Sequence, residues 1–190
     1  KWYSCDVHIS NKTIFISIVA GKKINFFNKY LPKKNQFIRV MPNMPAVINF
    51  GMTCLLSNQN VSKKNKVKIN DLFLKVGKTL WLNKELEINK VTAISGSGPG
   101  YIFLLIDAFE RAALKLGLSE FATKELVHQT FLGSINLLFS EKKSASILAN
   151  NIAVKGGTTE AGLSKFKNKK ILHNFFEKVV KAAYDRSIQL

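Results

Sequence analysis

The chemistry-bearing residues of this chain fall in three short segments. In Lys155-Gly-Gly-Thr-Thr-Glu-Ala-Gly-Leu163, two glycines and two threonines open a helix-forming run. A helix start offers free backbone N–H groups and the positive end of the peptide dipole, so it holds an anion such as a carboxylate. The hydroxyls of Thr158 and Thr159 add donors for a reacting atom. In Arg39-Val-Met-Pro-Asn-Met-Pro-Ala46, followed by Gly51, two prolines flank Asn43 and set a rigid, extended turn straight after a strand. Ligands of open α/β sheets bind at such strand ends. In Val91-Thr-Ala-Ile-Ser-Gly-Ser-Gly-Pro-Gly-Tyr101, glycines at 96, 98 and 100 let backbone approach a ligand, while Ser95 and Ser97 supply hydroxyls. Pro99 suits the first residue of a helix. Taken singly, each segment has a plainer reading: a threonine-capped helix start, a proline turn, a Gly/Ser connector. The last is no dinucleotide fingerprint, because it lacks GxGxxG spacing and opens no first βαβ unit.

The elements that must position these residues change character along the chain. Thr13–Val19 is β-rich and almost wholly apolar, as in a buried parallel strand, and runs into Ala20-Gly21. Ile24, Phe27 and Leu31 share helical spacing, and Pro32 ends that helix. Gln36–Met41 reads as a second strand, Ile69–Val76 as a helix, and Thr79–Leu82 as a last strand after Gly77. This alternation predicts part of a doubly wound α/β sheet. Beyond Lys90 the pattern is helical. On Tyr101–Leu116 the polar residues Asp107, Glu110, Arg111 and Lys115 form one stripe and the rest is apolar, so that helix is predicted to be buried on most sides. Ser119 is the predicted cap of a helix reaching about Phe139. The last helix places Leu172, Phe175, Phe176, Val179, Val180, Ala183 and Tyr184 on one face. So apolar a bundle is predicted to be completed by a second subunit, the alternative being a monomeric bundle. The expected domains are 1–90, sheet-bearing, and 91–190, helical. The lysine-rich segments 63–68 and 165–170 read as charged loops or helix ends.

Composition bounds the function classes. Hydrophobic residues make up 46% and charged residues 22% of the 190, values of a globular chain rather than a disordered one. No apolar run approaches the roughly 20 residues of a membrane span. Cys5 and Cys54 are too few for a disulfide framework or metal site, which fits a reducing, cytoplasmic setting. The net charge of +17 points first to nucleic acid. Only Arg39, Arg111 and Arg186 are arginine, however, and base readers favour arginine's bidentate fork. The lysines therefore read as a solvated surface with some local benefit for an anionic cofactor. His8, His128 and His173 are isolated and read as structural or exposed.

Taken together and in order, the three segments resemble the marks of the pyrroline-5-carboxylate reductase family: RVMPN-P, SGSGPAY and a GGTT-type loop before a helix. The resemblance runs from about Asn11 to Leu190 and includes SIVAG at 17–21 and AAYDRSIQL at the end. It implies the C-terminal part of a Rossmann-type domain followed by a helical dimerisation domain, in a homodimer or higher oligomer. The implied reaction is hydride transfer from NADPH or NADH to 1-pyrroline-5-carboxylate, giving L-proline, without metal, nucleic acid or membrane.

By resemblance, Ile18, Val19 and Ala20 line the cofactor, and Met41, Pro42 and Asn43 form the turn near the nicotinamide. Ser97 lies near nicotinamide and substrate, and Glu85 and Asn151 are polar cleft positions. Gly156, Gly157, Thr158 and Thr159 bind the substrate carboxylate, with the Thr159 hydroxyl near the imine nitrogen. Val154, Lys155 and Gly100 depart from the family pattern, and an acidic cleft residue expected after Phe139 could be Glu141, although strict spacing lands on Lys142. The resemblance also places a GxGxxG βαβ unit ahead of Lys1, so the chain reads as N-terminally truncated and is expected to bind NADPH weakly by itself. The alternative is an inactive remnant that keeps only the helical dimerisation module.

Overall fold

The computed structural model describes residues 10, 12–32, 34–166 and 169–190. The chain divides into two compact units: one running to Pro99 and including Val180–Leu190, the other Gly100–Val179. The stretch Lys1–Val7 and His8 lie outside the described residues.

The first unit rests on a four-stranded sheet in the order β1-β2-β3-β4, made of β1 (Ile14–Ser17), β2 (Gln36–Met41), β3 (Gly51–Ser57) and β4 (Gly77–Trp81). β1 is parallel to β2 and β3 to β4, but β2 and β3 are antiparallel. The sequence reading contains no strand at Gly51–Ser57. The chain reverses there through a 3-10 turn, Met44–Ile48, closed by Asn49 in the left-handed conformation at φ 63. Proline-turn chemistry thus hides a strand that exists because β2 and β4 both pair with it. β1 is parallel as expected but less buried, with Ile16 40% exposed.

Helices in this unit also differ from their sequence reading. The first, α1, covers only Ile24–Phe27 rather than reaching Leu31. Asparagines intervene: Asn28 Nδ2 donates to Asn25 Oδ1, and Asn35 Nδ2 donates to the Pro32 carbonyl at 2.9 Å. The second of these takes a backbone carbonyl, as asparagine does in competition with a helix. The second helix, α2, is longer than expected, Lys63–Leu74, because Ser62 Oγ caps it by accepting the Asn65 N–H at 3.2 Å. Lys63–Lys68 is therefore its first half, the helix-end reading of that segment.

Side chains on β2 alternate between two faces, as a strand demands. Ile38 and Val40 join Leu55, Val61 and Ile69 in a core that Phe73 and Trp81 close. Residues 37, 39 and 41 point the other way. Phe37 stacks on Phe27 with centroids 4.8 Å apart, and Arg39 pairs with Glu85. Met41 lies under Gly96. Helix α3 (Leu86–Val91) runs into a π-helical stretch, Thr92–Gly96.

The second unit contains most of α4 (Gly98–Lys115), then α5 (Glu120–Glu141), α6 (Ala145–Ile152), α7 (Thr158–Ser164) and the first half of α8 (Lys169–Gln189). Ser119 Oγ accepts the Ala122 N–H at 3.2 Å, the predicted cap. Phe109 meets Phe131 edge-on at 6.2 Å. His128 is not isolated, since its Nε2 lies 2.6 Å from Glu110 Oε1. The burial expected of α4 is not found within one chain: Ile102, Phe103, Leu104, Leu105 and Phe109 stay between 37% and 67% exposed. Leu86–Lys115 is helical over 30 residues and, by length and composition alone, apolar enough to cross a membrane. The sequence reading finds no such run, because it takes the Gly/Ser stretch before Pro99 as a loop, whereas Thr92–Gly96 is π-helical.

Candidate functional site

Strand direction gathers the first group of candidates. Ser17 faces Arg39 in the parallel β1–β2 register, so Ile18–Ala20 and Met41–Asn43 leave the sheet at the same end, the carboxyl end. Ile18 and Val19 are 64% and 51% exposed, an apolar wall open to a flat ring. Just beyond, Gly21 has φ +76 and lies against the Leu190 backbone, and Lys22 Nζ donates to the Leu190 carbonyl at 3.3 Å.

The proline turn and the Gly/Ser stretch meet directly. Asn43 Oδ1 accepts the Met52 N–H at 2.8 Å, while its Nδ2 donates to the Ser95 carbonyl at 3.0 Å. A Cβ on Gly96 would lie 3.1 Å from Met41 Cε, so glycine there lets the two segments approach. The stretch is π-helical, with the Ser97 N–H donating to the Thr92 carbonyl at 2.8 Å. Such bulges recur where backbone is reshaped for a task. Ser95 Oγ donates to the Val91 carbonyl at 3.0 Å, and Ser97 is half-buried. Cys54, buried on β3, lies beside Ser95. Burial pushes its thiol pKa up against the opposing Ser95 hydrogen bond. It therefore stays a neutral, poorly nucleophilic thiol. Reading β3 in the sequence would have placed it here.

Glu85, read as a cleft residue, is already engaged. Its Oε1 accepts the Ile24 N–H at 2.7 Å and pairs with Arg39 Nη1 at 3.0 Å, the arginine side chain being only 5% exposed. One carboxylate thus ties α1, β2 and the start of α3 together beneath the strand ends. Glu85→Ala is expected to cost about 2–3 kcal/mol, because it strands a buried guanidinium and an N–H. Glu85→Gln, which keeps an acceptor, is expected to cost clearly less. Urea titration of both variants checks this, and equal costs would remove the charge from the explanation.

The GGTT segment lies in the second unit. Gly156 has φ +75, which favours glycine, and Gly157 is the N-cap of α7. Thr158 is exposed and Thr159 half-buried in its first turn. Glu160 Oε2 accepts the Gly156 N–H at 2.7 Å, so the chain's own carboxylate occupies one donor of the anion-binding start. Sequence reasoning missed that partner, although an acidic residue in the first turn of a helix is its ordinary signal. Asn151 is exposed on α6. Glu141 ends α5 and pairs with Lys143 at 2.8 Å, and Lys142 is its left-handed C-cap. Among the described residues no three His, Cys, Asp or Glu side chains group as metal ligands.

Comparison with known proteins gives this arrangement its class. A family profile described as pyrroline-5-carboxylate reductase dimerisation matches residues 85–190. The fold is the C-terminal part of a Rossmann-type domain followed by a helical dimerisation domain. Pyrroline-5-carboxylate reductase of Haemophilus influenzae is 36% identical over 185 residues, 97% of this chain and 68% of that protein. A structure of the Coxiella burnetii pyrroline-5-carboxylate reductase aligns with TM-score 0.87 at 33% identity, over 93% of this chain and 65% of that one. The Plasmodium falciparum pyrroline carboxylate reductase, solved with NADP bound, aligns with TM-score 0.84 at 32% identity, over 93% and 66%. The chain belongs to the pyrroline-5-carboxylate reductase family. It spans about two thirds of the length of these relatives.

Proposed function

We propose that the protein reduces the C=N bond of 1-pyrroline-5-carboxylate with NADPH or NADH to give L-proline, the last step of proline biosynthesis, as a cytoplasmic homodimer. The observation that carries this reading is the junction of the Met41–Asn43 turn with the π-helical stretch at the carboxyl end of the sheet, in a chain of this family. The cofactor fits what is there: exposed Ile18 and Val19 form an apolar wall, and Gly96 removes bulk beside Met41. Ile18–Ala20, Met41 and Pro42 would hold it, with Asn43 fixing their turn and Glu85 and Asn151 as polar cleft positions. When bound, it supplies the hydride that reduces the imine carbon.

The chain's own residues bind, orient and deliver a proton. N–H groups at Gly156–Thr159 hold the carboxylate, in competition with Glu160. Thr159 would supply a hydroxyl for the imine nitrogen, and Ser97 a hydroxyl for the reacting ring. Orientation of two rings and one proton is the main catalytic demand of such a reduction.

The test is loss of NADPH absorbance on adding pyrroline-5-carboxylate, with NADPH raised until the rate saturates. Dimers without any substrate-dependent oxidation would favour the dimerisation-only reading instead. The 190 residues contain no GxGxxG to cradle a pyrophosphate, so weak NADPH binding is expected of this chain by itself. A low-micromolar dissociation constant would overturn that part.

Dimerisation accounts for the exposed apolar surface of α4. Leu104, 67% exposed in the single chain, is expected to be an interface residue. Leu104→Lys is expected to weaken the dimer by on the order of a hundredfold, since it buries a charge against apolar neighbours. Sedimentation velocity across a dilution series measures this. Unchanged dimers would move the interface elsewhere.

A further inference from the structure

The Ser95 carbonyl sits in a helical run but has no α-helical partner available. The N–H four residues on would belong to residue 99, which is Pro99 and carries none. The donor this carbonyl receives is Asn43 Nδ2, at 3.0 Å. The other end of the same amide accepts the Met52 N–H at 2.8 Å, at the point where β3 leaves the turn. An amide with a donor facing its oxygen and a carbonyl facing its nitrogen has only one sensible orientation. Both Asn43 and Ser95 are half-buried, where an unmet carbonyl is costly. Around this bond the stretch is π-helical rather than α-helical. Gly96 also lies so close to Met41 that a Cβ would come within 3.1 Å of its Cε.

We infer that Asn43 is a positioning residue: its side-chain amide stands in for the N–H that Pro99 lacks and locks the Met41–Asn43 turn to the Thr92–Gly96 stretch. Its catalytic consequence rests on the reductase reading, whereas the clamp itself does not. Asparagine suits the task because one short side chain carries a donor and an acceptor at the required separation. Aspartate offers no donor at neutral pH, and glutamine is longer by a methylene. The clamp sets the spacing between the two edges of the cleft without contacting the cofactor.

A double-mutant cycle tests this. Asn43→Ala is expected to lower the folding equilibrium constant on the order of tenfold, the loss expected when a half-buried carbonyl is left unmet. Pro99→Ala supplies Ser95 with a backbone N–H, so in that background Asn43→Ala is expected to cost only about threefold, the remainder being the Met52 N–H left without its acceptor. Urea unfolding followed by tryptophan fluorescence reads both, because Trp81 lies on β4 of the same unit. Equal costs in the two backgrounds would overturn the clamp. Kinetics then separate positioning from contact. Asn43→Ala is expected to lower kcat on the order of tenfold with KM for NADPH changed less than about twofold, since misplacement rather than affinity is at stake. Pro99→Ala is expected to restore stability to that variant but not kcat, because the substitute N–H permits α-helical register. A raised KM with kcat intact would make Asn43 a cofactor contact and overturn the assignment. Absence of all activity in the unmutated chain would sink the reductase reading while leaving the unfolding cycle to decide the clamp.

Discussion

Gly77→Ala is expected to unfold the sheet-bearing unit, at a cost of at least about 3 kcal/mol. Gly77 begins β4 with φ +140, a conformation that side chains rarely adopt. A Cβ there would lie 2.0 Å from the Gly51 carbonyl oxygen and 2.5 Å from its nitrogen. Both are main-chain atoms of the paired strand, so no rotamer change relieves the overlap. Gly51 has no freedom to retreat, because its N–H donates to the Val76 carbonyl at 2.9 Å and its own Cβ position is filled by Ala46. Moving β4 away would break the β3–β4 register that begins with Gly51 opposite Gly77. Tryptophan fluorescence during urea unfolding reads the effect through Trp81. A variant that unfolds within about 1 kcal/mol of the unmutated chain would show that the strands slide apart without cost.

Thr159→Val carries the largest expected effect on chemistry. Valine keeps the shape and removes only the hydroxyl, so α7 should persist. If that hydroxyl delivers or orients the proton at the imine nitrogen, kcat is expected to fall on the order of a hundredfold, the lower end for a positioned acid or base. KM for pyrroline-5-carboxylate is expected to move less, because the carboxylate holders proposed above are backbone N–H groups that the substitution leaves in place. Thr158→Val is the comparison: Thr158 is exposed, Thr159 half-buried, and the former should change kcat only a few-fold. Equal effects at the two threonines would assign both hydroxyls to helix capping. Loss of KM alone at Thr159 would place its hydroxyl on the carboxylate instead.

Much of the fold was legible in residue types and spacing. β2 was read with its true bounds because a short apolar run ends at a proline. The Ser119 cap announced α5 because a serine hydroxyl at a helix start has one obvious use. The family marks identified the candidate residues at 18–20, 41–43, 97 and 156–159. Other features depended on partners far away in the chain. β3 was hidden because its residues follow a proline turn, and only pairing on both sides makes them a strand. Glu85 reads in the sequence as a polar cleft position, and nothing local announces its pairing with Arg39, 46 residues earlier.

The sequence by itself determined the family, the order of sheet and helices, and the residue types available at each strand and helix end. Those properties are local, set by which backbone angles and hydrogen-bonding groups neighbouring residues permit. Only the tertiary structure decided which of those groups are already taken. Asn43 reaches Ser95 across 52 residues, and Glu85 reaches Ile24 across 61. Hydrogen bonds and ion pairs act over about 3 Å of space, and separation along the chain does not reveal that distance.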